Sequence, residues 1–191
     1  MKREFDDIIS GTSKDTVINR FCITHYRYKD CDLKDLVRVD GFRVRTDCAE
    51  AFKEMKKTAK KEGVNLKVVS GYRSSHYQIQ VFRRKFGGKY PTDEQMKARL
   101  KYSAPSGFSE HHTGLAVDIN ETEDWFKDTK EYTWLCEHAK EYGFELSFPE
   151  NNSQGLGFEP WHWRYVGKNM ENEKIFAQAR ANDPRYAKER V

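Results

Sequence analysis

The chain has 191 residues, a formal net charge of +4, and 37% hydrophobic, 34% charged and 14% aromatic residues. That length supports one domain with a substantial core and leaves a second full domain cramped. The interspersed charge signs, as in Lys53-Glu54-Met55-Lys56-Lys57, read as solvated helix faces and set aside a nucleic-acid patch. No run reaches the roughly 18 apolar residues of a membrane span. Met1 to Asn19, with Lys2, Arg3, Asp6 and Asp7, lacks the apolar core of a signal peptide, so the chain either stays in the cytoplasm or represents a mature form. Cys22, Cys31, Cys48 and Cys136 have no zinc-type spacing; their even number permits disulfides, with Cys22 and Cys31 the nearest pair, and free, partly buried thiols are the other reading.

In chain order, residues 1 to about 40 lack strong periodicity and are expected to wrap the core as an N-terminal extension, with the main domain from 39 to 191. A helix is predicted from Asp47 to Glu62, with Asp47 and Glu50 at capping-box spacing, an apolar face of Cys48, Phe52, Met55 and Ala59, and Gly63 as its end. Leu66 to Ser70 reads as a buried strand ending at Gly71. A second helix starts near Ser74 or Ser75 and runs to Phe86, stopped by Gly87-Gly88; a third covers Thr92 to Tyr102, with Thr92 and Gln95 as its capping box. Gly114 to Asn120 is a short strand, Thr129 to Tyr142 a helix capped by Gly143, Phe144 to Phe148 and Trp161 to Val166 strands, and Glu171 to Asn182 a last amphipathic helix. Helices and strands mix without regular alternation, which predicts a single compact α+β domain with a small, largely antiparallel sheet flanked by helices.

Three polar clusters fall where structure alone would not require them. In Ser109 to Asp118, a carboxylate follows Leu115-Ala116-Val117 inside a buried strand, and a buried charge needs a partner: a metal, an arginine or a turn of backbone N–H groups. In Glu159-Pro160-Trp161-His162-Trp163, a strand turns His162 away from both tryptophans. The third is Ser70-Gly71-Tyr72-Arg73-Ser74-Ser75 at a strand-to-helix turn, with Gln78 one helical turn on. Each alone is compatible with a purely structural role. Together, His111, Asp118 and His162 make a three-ligand zinc shell with a fourth position left for water. Glu159 is spaced to act on that water, and Arg73 would supply a fixed cation for a carboxylate or an oxyanion.

The run Ser109-x-His111-x-x-Gly114-x-Ala116-x-Asp118, followed by Glu159-x-Trp161-His162, resembles the signature of the zinc D-alanyl-D-alanine carboxypeptidases, the VanY-type branch of the M15 peptidases. Ser70 to Ser74 and Ala104 to His111 are similar too, and the likeness spans roughly Val39 to Gly167. The resemblance implies a Hedgehog/DD-peptidase-like α+β fold whose antiparallel sheet carries Zn2+ on His111, Asp118 and His162. It also implies Glu159 as base, Arg73 on substrate or transition state, Ser109 and Gln78 at the terminal carboxylate, and Trp161 as a pocket wall. His112 does not match a ligand position. The implied reaction is hydrolysis before a C-terminal D-alanine of a peptidoglycan stem peptide, with the cell envelope as its setting. Two readings compete: an endopeptidase of the same superfamily, and a zinc-stabilised wall-binding module without turnover.

Overall fold

The structure is a computed structural model that describes residues 2–10, 17–87, 89–183 and 185–186. Among these residues the helices are α1 (Lys2–Ser10), α2 (Thr46–Lys61), α3 (Ser75–Arg83), α4 (Asp93–Tyr102), α5 (Lys130–His138) and α6 (Glu173–Ala181). The strands are β1 (Val17–Arg20), β2 (Ile23–Tyr26), β3 (Leu36–Val39), β4 (Phe42–Arg45), β5 (Val68–Ser70), β6 (Ala116–Ile119), β7 (Phe144–Leu146) and β8 (His162–Tyr165). β1–β2 and β3–β4 are hairpins, and the central sheet has the order β5-β6-β8-β7 with every pair antiparallel. The expected α+β class is the one observed.

The central sheet divides its side chains by the two-residue period of a strand. Val117, Ile119, Trp163 and Tyr165 join the main apolar core. There they share it with the predicted face of α2, whose Cys48, Phe52, Met55 and Ala59 are fully buried. Phe52 meets Phe144 edge-on, ring centroids 6.2 Å apart, an arrangement that adds directional attraction to the area buried. The opposite face of β6 and β8 carries Asp118, His162 and Arg164, all buried. Cross-strand register sets Asp118 directly against His162 and Ala116 against Arg164. On β6 and β8 the sheet is therefore apolar on one face and ionic on the other, and these side chains are buried on both faces.

Several expectations are corrected. Within residues 1 to about 40, where the sequence shows no strong periodicity, the described part holds α1, the β1–β2 hairpin and the first strand of the β3–β4 hairpin. The first hairpin escapes notice because Phe21 and Cys22 form its turn at φ 56° and 61°, a conformation for which glycine and asparagine are the usual signal. The second does carry a signal, Asp40-Gly41, at φ 50° and 94°. The capping box expected at Asp47 and Glu50 is absent, because α2 starts earlier and Arg45 is its N-cap without a side-chain bond. Asp47 instead accepts from Arg45 Nε at 2.7 Å and from Asn172 Nδ2 at 3.1 Å, which ties α2 to the segment before α6. The Thr92–Gln95 capping box is present as expected. The helix through Phe86 becomes a 3-10 turn from Arg84, and its second stop residue, Gly88, lies outside the described residues. The four cysteines are free thiols.

Two glycines hold the loops around the ionic face. A Cβ on Gly71 would stand 2.4 Å from the Arg43 carbonyl oxygen, where Tyr72 N–H also donates at 2.6 Å. Gly114, at φ 68°, lets the chain turn into β6 beneath the backbone of Arg45. Gly71→Ala is expected to cost about 1–3 kcal/mol, read as a lower midpoint in chemical denaturation. An unchanged midpoint would show that the β4–Gly71 approach is not tight.

Candidate active site

The polar clusters picked out in sequence converge on one cleft of about 500 Å³. His111, Asp118 and His162 each offer one ligand atom, and these atoms lie within 4.8 Å of one another. Asp118 and His162 meet through strand register, Asp118 Oδ1 to His162 Nδ1 being 2.9 Å. His111 comes from the 3-10 turn Glu110–Thr113, and its Nε2 stands 3.3 Å from Asp118 Oδ2. The two imidazoles are edge to face, with centroids 4.8 Å apart.

The second nitrogens fix the tautomers. His111 Nδ1–H donates to the Gly71 carbonyl at 2.8 Å, so the lone pair of Nε2 is turned toward a carboxylate. Burial, and then the Arg73 charge, hold His111 neutral with a pKa lowered to about 4. Two acceptors facing each other repel unless a cation lies between them. Two imidazoles and one carboxylate therefore fit a single divalent ion with an open position.

His162 is supported by a residue that sequence reasoning missed. Its Nε2–H donates to Glu110 Oε2 at 3.1 Å. Glu110 also accepts from Ser147 Oγ at 2.6 Å and from Arg164 Nη1 at 3.0 Å. Beyond it, Arg164 pairs with Glu145 at 3.3 Å, and Glu145 with Arg180 at 3.3 Å. Burial alone would raise the Glu110 pKa, but Arg164 and His162 bring it down to about 2. Burial would lower that of His162, but the bonds to Asp118 and Glu110 raise it to about 10. Glu110 stands inside the quoted motif, directly before His111, and that adjacency was the available signal. Its partner Arg164 is 54 residues away, which hid the role.

Glu159 lies above the cluster, its Oε2 3.9 Å from His162 Nδ1. Burial raises its pKa to about 7; His162 and Arg73 oppose the rise, while Asp118 and Glu110 add to it. Arg73 is held by its backbone: its N–H donates to His111 O at 3.2 Å, and its carbonyl accepts from His112 Nδ1 at 2.6 Å. His112 Nε2 in turn accepts from Gly107 N–H at 3.1 Å, so this histidine clamps two loops and takes no part in the cluster. Ser109 Oγ caps the His111 turn at 3.4 Å. Gln78 Nε2 donates to Ala104 O at 2.7 Å, leaving Oε1 buried without a partner. Trp161 lines the cleft, and Phe148, not anticipated, stacks on His162 at 5.0 Å.

Residues 41–168 match the model of the VanY family, D-alanyl-D-alanine carboxypeptidase. A D-alanyl-D-alanine carboxypeptidase of Enterococcus faecalis (strain ATCC 700802 / V583) is 33% identical over 144 residues, 72% of this chain and 53% of that protein. The crystal structure of a vancomycin-resistance D,D-pentapeptidase VanY mutant in complex with Zn(II) superposes with a TM-score of 0.62 at 31% identity, over 78% of this chain and 85% of that one. The LD-carboxypeptidase LdcB gives 0.61 at 29% identity, over 88% and 75%. The chain belongs to the VanY D-alanyl-D-alanine carboxypeptidase family, a family of metallopeptidases. It spans about half or less of the length of the curated relatives it matches first.

A divalent ion at this cluster must displace the proton shared by His162 Nδ1 and Asp118, while Nε2–H stays on Glu110. Zinc titrated calorimetrically in buffers of different ionisation enthalpy should thus release about one proton. Because that proton is held to about pH 10, apparent zinc affinity should rise about tenfold per unit between pH 6 and 8. A pH-independent affinity would show that the ion binds elsewhere. Glu110→Gln should weaken zinc binding about 10- to 100-fold in chelator competition on the folded protein.

Proposed function

We propose that this chain is a zinc-dependent carboxypeptidase that removes a C-terminal D-alanine from peptidoglycan stem peptides, working at the cell envelope where those peptides occur. The observation that carries this reading is the meeting, in one cleft, of two imidazoles and a carboxylate with Glu159 beside them and Arg73 facing them. His111 Nε2, Asp118 and His162 Nδ1 would hold the ion. When bound there, zinc would lower the pKa of a water to about 7 and polarise the scissile carbonyl. The Zn(II) complex of the related VanY enzyme supports the choice of metal.

Glu159 takes the proton of the attacking water and returns it to the leaving amine; a carboxyl near pH 7 can do both at neutral pH. Arg73, anchored through its backbone, presents a cation to the oxygen that becomes negatively charged. Trp161 and Phe148 wall the reacting end against bulk water, which strengthens both interactions. Ser109 and Gln78 contact the leaving residue.

Synthetic tetra- and pentapeptide stems, incubated with the zinc-loaded protein and followed by mass spectrometry, should lose the mass of one alanine, and a chelator should abolish the loss. Glu159→Ala should keep the metal and lose about 10²- to 10⁴-fold in rate. Release of internal fragments would instead indicate an endopeptidase. Intact peptide in the presence of bound zinc would indicate a binding module.

A further inference from the structure

The cleft contains a second guanidinium that the reaction described above does not use. Arg99 lies in the last turn of α4 and lines the same cleft as Arg73. Its Nη2 donates to the Val81 carbonyl at 2.9 Å, and its guanidinium carbon is 5.4 Å from the centroid of the Phe82 ring. Its Nε is buried with no hydrogen-bond partner, and so is the Nε of Arg73. Among the described residues, neither guanidinium forms an ion pair with a carboxylate. Burial, and then the Arg73 charge, pull Arg99 below its ordinary pKa. The two cations therefore sense each other.

A guanidinium cannot shed its charge near neutral pH. Two of them, unpaired and partly desolvated along one cleft, carry both a burial cost and mutual repulsion. An anionic ligand removes both, and the two oxygens of a carboxylate match the guanidinium fork. The neighbouring polar groups show why such a cation is needed. Gln78 lies one helical turn before Val81, and its orphan atom is an acceptor, suited to a substrate N–H rather than to a carboxylate. Ser109 offers a single hydroxyl. Arg73 lines the cleft with His111 and Glu159, whose pKa values register its charge, and there it would meet the scissile carbonyl. Two other cations line the cleft, Arg99 and Lys101; Lys101 is exposed, whereas Arg99 is partly buried and fixed by its bond to Val81, which makes Arg99 the one placed to hold the end of the substrate.

Arg99 is also held in place by residues that precede the stretch matched by the family model. His25 of β2, kept neutral by burial with a pKa of about 4, donates from Nε2 to the carbonyl of Leu100 at 2.9 Å. The β1–β2 hairpin, which precedes the matched residues 41–168, thus seats the very turn that bears Arg99.

We infer that Arg99 is a specificity-determining residue that holds the C-terminal carboxylate of the substrate, leaving Arg73 to the oxyanion. The inference rests on the carboxypeptidase reading. It is tested by calorimetric binding to the zinc-loaded Glu159→Ala protein, which holds peptide without turning it over. The ligands are a pentapeptide stem, its C-terminal amide, and a stem amidated only at its internal carboxylate. With Arg99 present, the free acid should bind about 10- to 100-fold tighter than the terminal amide. That ratio should fall to near one in Arg99→Gln and recover in part in Arg99→Lys, whereas the effect of internal amidation should not depend on Arg99. An acid-to-amide ratio that survives Arg99→Gln overturns the inference, as does an internal-amide effect that requires Arg99. If the unaltered protein neither binds nor cleaves the free acid, the carboxypeptidase reading fails and this inference falls with it.

Discussion

Everything around the cleft depends on one register: the antiparallel pairing of β6 with β8 that sets Asp118 against His162 and Ala116 against Arg164. That pairing puts a histidine and an arginine on a buried sheet face, where each uncompensated charge costs several kcal/mol. Arg164 is 1% exposed. The fold neutralises this face with a chain of alternating charges running from His162 through Glu110, Arg164 and Glu145 to Arg180. Such an arrangement is a poor source of net stability compared with apolar packing. What it does supply is a fixed orientation for His162, whose ring cannot rotate without breaking bonds at both nitrogens.

The same face separates two carboxyl groups into different chemical roles. Glu110 faces Arg164 and His162 and is held ionised, with a pKa of about 2. Glu159 has His162 and Arg73 nearby but also feels Asp118 and Glu110, and burial leaves it at about 7. Environments that push two acids apart in this way suit one to a fixed ionised role and the other to exchanging a proton near neutral pH. The difference comes from what each side chain faces, since both are glutamates on loops bordering the same strands.

The loops that complete the cleft are fastened by backbone contacts more than by apolar packing. Gly71 closes on Arg43, His112 bridges Arg73 and Gly107, and the first hairpin reaches the cleft through Thr24, whose N–H donates to Gln154 O at 2.8 Å while its carbonyl accepts from Gln154 Nε2 at 3.0 Å. Each removes freedom from a segment that would otherwise have to be ordered when substrate binds.

How far this was legible differed from residue to residue. The amphipathic face of α2, the Thr92 capping box, the buried run before Asp118 and the grouping of His111, Asp118, His162 and Glu159 were all visible, because local periodicity and side-chain chemistry are written in the linear order. The Phe21–Cys22 turn was not, since residues with side chains were forced into a conformation that only the surrounding packing sustains. Nor was the role of Glu110, Arg164 or Arg99: a charged residue reads as solvent-exposed until its partners, or the lack of them, are known. By itself the sequence determined which chemical groups were available and which α+β architecture would carry them. The tertiary structure alone decided which charges were paired, how each histidine nitrogen was engaged and that, among the described residues, the guanidinium groups of Arg73 and Arg99 were left without a counter-ion, because pairing and burial are properties of contacts between segments distant in the chain.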